Sequence, residues 1–283
     1  MHPAPSVIIF SVLSGAGLGY LAFLGFDAPL GLGGFIKFFI GYALAVSGLL
    51  AALFHLGNKA NAIKAFREWR TSWLSREAWA SVSALLLMGL FAFMLIFMRI
   101  RLPILGELAA ILCLATVLCT GMIYQQLRTI ARWHQKLTTA LFIAYALSAG
   151  AWLTGLGFAW VLLLLTGAIQ LAHWYNGDRL GLGKSDMNSA TGLKGNIRAF
   201  APPHTSPNYL LKEMAYKVGR KHSQKLRIIA LVAGFVFPSL LALAFGMGAI
   251  VIPLGFMSHI LGALAARWLF FAEAKHSVTL YYG

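Results

Sequence analysis

Charge is scarce in this chain. Asp, Glu, Lys and Arg make up 11% of its 283 residues, and only eight of them are acidic. An ordinary soluble domain carries about 25% charged residues to cover its surface, so the composition argues against a soluble fold. Cysteine is almost absent: Cys113 and Cys119 are the two in the chain, six residues apart within one apolar run. That spacing puts them on different sides of a helix, which leaves two small hydrophobes and no expected disulfide. Two thiols also exclude a cysteine-rich iron–sulfur motif. No hydrolase triad and no metal-ligating cluster stand out. The opening Met1-His2-Pro3-Ala4-Pro5-Ser6 has no Lys or Arg, and no Ala-x-Ala pattern follows. A cleaved secretory signal is therefore not expected, and the apolar run behind it is read as retained.

What the chain has instead is apolar length, with 59% hydrophobic residues and a mean hydropathy of +0.76. About 20 apolar residues cross a bilayer as a helix. Eight runs near that length are present, at 6–26, 35–56, 78–98, 105–124, 137–156, 158–175, 226–245 and 250–272. The expected fold is an all-α integral membrane protein, one polytopic domain over residues 1–283. Short connections alternate with longer polar ones, the longest at 176–225. Lys37 and Glu107 are charges within the runs, each near an end where the side chain reaches the interface.

The net charge of +15 divides unevenly: 20 of the 23 Lys and Arg flank one side of these spans, leaving Lys37, Arg99 and Arg101 on the other. Cytoplasmic loops carry the excess of basic residues. The division therefore predicts both termini and the three large loops in the cytoplasm, and it needs no nucleic-acid partner. The loop at 176–225, with ten basic residues counted through Arg227 against Asp178, Asp186 and Glu213, suits anionic lipid or an acidic protein face.

Titratable groups at membrane depth are costly and mark candidate sites. His55 closes the second span, where an imidazole can hydrogen-bond a quinone carbonyl and pass it a proton. The bland alternative is an interfacial His bonded to a backbone carbonyl. Glu77 is expected in the first turn of the third span, stabilised there by the helix dipole, on the same membrane face as His55. His173 and His259 raise bis-histidine haem, which needs two rings facing each other at matched depth. His259 lies deeper than the others, and no haem is expected. Ile63, Phe66, Trp69 and Trp73 recur at helical spacing, which predicts a short amphipathic surface helix. Gly15-Ala16-Gly17-Leu18-Gly19 has no preceding strand and no following Gly-Lys, so it is read as a helix-packing seam rather than a phosphate loop.

Three stretches, Phe54-His55-Leu56-Gly57, Ala65-Phe66 and Ser72-Trp73-Leu74-Ser75-Arg76-Glu77, resemble the membrane anchor subunit of the dimethyl sulfoxide reductase family. So does Arg267, in the last span before paired aromatics. The segments at 202–205 and 220–222, together with residues 272–277 and 281–283, are similar to one branch, the membrane subunit of cytoplasmic sulfite-oxidising molybdoenzymes. The resemblance implies a heterotrimer in the bacterial inner membrane. A molybdopterin catalytic subunit and a ferredoxin-like iron–sulfur subunit would hold the molybdopterin and the clusters. The anchor would bind ubiquinone or menaquinone. The family's quinone-linked His and Glu fall on His55 and Glu77, whose separation of 22 residues is kept; Arg267 is the third candidate. The dimethyl sulfoxide reductases keep the corresponding loops outside the cytoplasm, and the charge division here departs from that. The departure favours electron flow from sulfite to quinone over quinol oxidation. A small-molecule transporter is the rival class, but no paired broken helices or internal repeat support it.

Overall fold

The computed structural model describes the chain apart from residues 55–58, 202, 205, 207, 215–221 and 283, and apart from the side chains of 59–61. Helices joined by turns and irregular connections make up the described residues, with no strand among them. The long helices are α1 (Pro5–Phe26), α2 (Gly31–Leu53), α3 (Trp73–Ile96), α4 (Pro103–Gln125), α5 (Lys136–Thr154) and α6 (Ala159–Leu180). A short α7 (Met187–Thr191) follows, then α8 (Ser223–Leu231), α9 (Phe237–Phe245) and α10 (Val251–Ala272). A π turn at Val232–Val236 joins α8 to α9, so that Ser223–Phe245 runs as one span.

Seven of these segments are long and apolar enough to cross a membrane. The helix outside that set is α6, which is 22 residues long but carries Gln170, His173, Asn176, Asp178 and Arg179 in its second half. The termini bear on the traverse count. The Met1 amino group donates to the Ala274 carbonyl at 2.9 Å, and Ser277 N–H to Thr129 O at 2.9 Å. Both ends of the chain thus lie at one end of the bundle. That placement accommodates α6 as a crossing beside the seven apolar helices.

Local chemistry explains the boundaries. Proline stands in the first turn of α1 and α4, where its missing N–H costs nothing. Ser72 caps α3, its hydroxyl accepting from Ser75 N–H. Gly155 ends α5 with φ +78°, a backbone region that favours glycine. The surface helix expected through 63–73 is instead a 3₁₀ helix, Lys59–Phe66, followed by turns. Side chains of α3 hold those turns in place. Arg76 Nε donates to Trp69 O at 3.0 Å, and Trp79 Nε1 to Phe66 O at 3.0 Å. These bonds fix carbonyls that a continuous α-helix would have used itself.

The core is organised around α1, the most enclosed of the seven apolar spans. Of its Gly15–Gly19 seam, Gly17 meets the α2 backbone at Gly41 and Ala45, and Gly19 meets Ala146 of α5. Gly25 abuts Gly106 of α4, and Gly15 faces open space. Lipid tails are as apolar as the helices, so association relies on close packing between small residues. One hydrophobic cluster joins α1 to α2, α3, α4 and α5; a second joins α1 and α5 to α6, the α8–α9 span and α10.

Gly19→Val would drive a side chain into the Ala146 carbonyl and is expected to cost about 1–3 kcal/mol. Gly15→Ala should leave thermal unfolding of the detergent-solubilised protein unchanged. Equal transition temperatures for the two variants would contradict the packing.

Candidate functional site

Glu77 is the fifth residue of α3 and not part of its first turn, so the expected helix-start role gives way to another. A further turn into the helix carries the side chain off the water boundary and into the α3–α4 seam. It is 5% exposed. Its carboxyl is hydrogen-bonded to Thr120 Oγ1 of α4, which also reaches Thr116 O at 3.1 Å. Cys119 and Tyr124 of α4 lie within electrostatic reach of it.

On the far side of Thr120 is a cavity of about 20 Å³ between α1, α4, α5 and α10. Ser11, Ser14, Thr120, Tyr145, His259 and Arg267 give it a polar lining within apolar walls. Arg267 lies five residues, about 7.5 Å along the axis, before the end of α10. It is 3% exposed, and its guanidinium sits 3.5 Å from the Phe142 ring centroid, with Tyr145 and Phe270 beside it. Stacking on aromatic faces compensates a cation only in part. Among the described residues no carboxylate stands within ion-pair distance of it. Thr120 thus bonds one of the three sequence candidates, Glu77, and lines the same cavity as a second, Arg267. The third, His55, lies outside the described residues.

The two other histidines take separate partners. Thr138 Oγ1 donates to Trp133 O at 2.7 Å, so His173 Nε2, 3.2 Å away, must donate to Thr138. Its Nδ1 is buried with no hydrogen-bond partner among the described residues. His259 is set by a proline. Pro238 has no N–H to offer the carbonyls of Gly234 and Ala233 one turn back. His259 Nδ1 donates to Gly234 O at 2.7 Å and Ser258 Oγ to Ala233 O at 2.7 Å. With no water in the bilayer core, such substitutes keep a broken helix satisfied. His259 Nε2 is left with a lone pair on the cavity side.

Sequence reading missed the charged cluster at the basic end. Arg132, from the α4–α5 turn, binds Asp178 of α6 at 2.7 Å and also Glu273 after α10. Arg227 of α8 binds the same Asp178 at 2.7 Å and Glu273 at 2.9 Å. Asp178 and Glu273 closely follow hydrophobic runs and Arg227 stands at the start of one, and those positions at span ends were the available signal. Burial, and after it the positive Met1 amino group, hold the neighbouring His276 imidazole below its ordinary range.

Glu273 and Arg132 are nearly buried, whereas Asp178 is half exposed. Glu273→Ala leaves the buried Arg132 with Asp178 as its remaining carboxylate and is expected to cost up to about 3 kcal/mol. Asp178→Ala should cost less in the same thermal unfolding assay, and the reverse order would refute the assignment.

Sequence comparison bears on the whole chain. The family described as DMSO reductase anchor subunit (DmsC) matches residues 1–164, from α1 into α6. That stretch includes Glu77 and Thr120 but not His259 or Arg267. Over all of this chain and 99% of the relative, the sequence is 32% identical to a sulfite dehydrogenase subunit of Allochromatium vinosum. No solved structure matches. With the family covering more than half the chain and the relative all of it, this multi-pass helical protein belongs to the DMSO reductase anchor subunit (DmsC) family.

Proposed function

We propose that the chain is the quinone-binding membrane anchor of a molybdopterin/iron–sulfur oxidoreductase, passing electrons from sulfite oxidation into the bilayer quinone pool. Family membership supports the anchor role, and the full-length similarity to a sulfite dehydrogenase subunit supports the sulfite branch. The observation that carries the quinone reading is Glu77, a carboxyl withdrawn from water at the basic end of the bundle and hydrogen-bonded to Thr120 alone among the described residues.

A quinone needs apolar walls, a hydrogen-bond donor at a carbonyl and a source of protons. The inner cavity, with room for one water, is too small for a ring. The junction of α2 and α3 suits it better. Leu53, Phe54, Leu74 and Trp79 expose apolar surface there, and His55 follows directly in sequence. Quinone reduction takes up two electrons and two protons, the electrons supplied by the iron–sulfur subunit. In this reading His55 donates a hydrogen bond and a proton at one oxygen, and Glu77 supplies a proton for the other.

His55→Phe replaces ring with ring and should preserve assembly. Sulfite-dependent quinone reduction by the assembled complex should fall roughly a hundredfold or more, while reduction of an artificial acceptor by the soluble subunits is kept. Undiminished quinone turnover in an assembled complex would sink the site.

We assign the basic end to the cytoplasm, with eight crossings and docking of the soluble subunits on that face. Reporter fusions at Met1, within 176–225 and after Gly283 should all read cytoplasmic. A periplasmic signal from the long loop would reverse the orientation and remove the preference for sulfite.

A further inference from the structure

Glu77 and Arg267 pose the same difficulty with opposite sign. Each is buried, and neither has an ion-pair partner among the described residues. Desolvating a charge without compensation is expensive. The same Thr120 touches Glu77 and lines the cavity that Arg267 faces. Tyr124 lies within electrostatic reach of both charges.

The cavity fits a water. Its volume of about 20 Å³ exceeds the roughly 10–15 Å³ that one water needs, and such a water needs two to four polar partners. Arg267 offers N–H donors and His259 Nε2 a lone pair. Ser11 and Ser14 give their protons to Ile8 O and Phe10 O, so their oxygens remain free to accept. We propose that Glu77 and Arg267 form a water-bridged ion pair through Thr120, which stabilises the carboxylate left when Glu77 gives up its proton.

Thr120 has one hydroxyl proton and two acceptors within reach, Glu77 and Thr116 O. With Glu77 neutral, its O–H donates to Thr120 Oγ1, and Thr120 donates to Thr116 O. With Glu77 ionised, the Thr120 proton turns to the carboxylate. The hydroxyl thus serves both states at no cost in unpaired groups. A direct contact with Arg267 would hold Glu77 permanently ionised. Inserting a hydroxyl and a water lengthens the separation and weakens the attraction in proportion, so the carboxyl remains able to be reprotonated. The other groups about Glu77 are Cys119 and Tyr124 of α4 and Arg76 on its own helix, and Arg76 is committed to the carbonyls of Trp69 and Arg70. Around Arg267 stand Tyr124, Tyr145 and His173.

The pair itself stands on geometry alone, while its role in proton delivery rests on the quinone reading. In that role the Glu77 O–H bond breaks and an O–H bond forms at a quinone oxygen. The two electrons come from the iron–sulfur subunit and the second proton through His55, and Glu77 is then reprotonated from the basic end.

Infrared spectroscopy of the assembled complex reads the pair directly, through the carbonyl stretch of a protonated carboxyl that Glu77→Gln abolishes. At fixed pH, Arg267→Met should raise the protonated-to-ionised ratio of Glu77 by about tenfold. Thr120→Val, which keeps the shape, should act the same way, and Thr120→Ser should restore the original ratio. An unchanged ratio in both Arg267→Met and Thr120→Val overturns the pair, even if Glu77→Gln abolishes quinone reduction. A raised ratio upholds the pair even if His55→Phe leaves quinone turnover intact, which separates this failure from that of the quinone reading.

Discussion

Backbone-to-backbone contact along α1 is the constraint on which the rest of the molecule depends. In lipid there is no hydrophobic force to draw helices together, and dispersion falls steeply with distance. Gly17, Gly19 and Gly25 let three different helices approach the α1 main chain. Because α1 holds α2, α4 and α5 in this way and also borders α10, the polar cavity forms at its flank. Ser11, Ser14 and Gly15 are among the α1 residues that line the cavity.

The basic end is closed by a different force. Arg132 and Arg227 share Asp178 and Glu273, so four segments distant in sequence meet in one charge cluster. Two of the basic residues on this face are thereby neutralised within the chain. The field presented outward on this face is that of the exposed remainder, mostly in the connections between spans.

Most of the architecture was legible because bilayer thickness fixes span length and hydropathy reports it. The margins were not. The third span starts at Trp73, five residues before its apolar run, because Ser72 caps a helix that extends past the hydrocarbon. The sixth runs on to Leu180 through polar turns. In the candidate site, residue type singled out Glu77 and Arg267. Spacing could not show that Thr120 bonds Glu77 and lines the cavity beside Arg267, since that arrangement depends on how α3, α4 and α10 are rotated against one another. Nor could it show that Glu77 faces inward rather than to water. His259 was read as a deep and costly imidazole; its partner became visible only with the π turn and Pro238 in place.

That partnership has a consequence for what the cavity meets. An imidazole in water exchanges its two tautomers freely. At His259 the choice is made by the main chain, because moving the proton from Nδ1 would orphan the Gly234 carbonyl in a medium without water. The ring is therefore polarised in one sense. It presents an electron pair to the cavity and accepts hydrogen bonds from within it, so a missing amide in one helix decides the chemical sign of a wall in another.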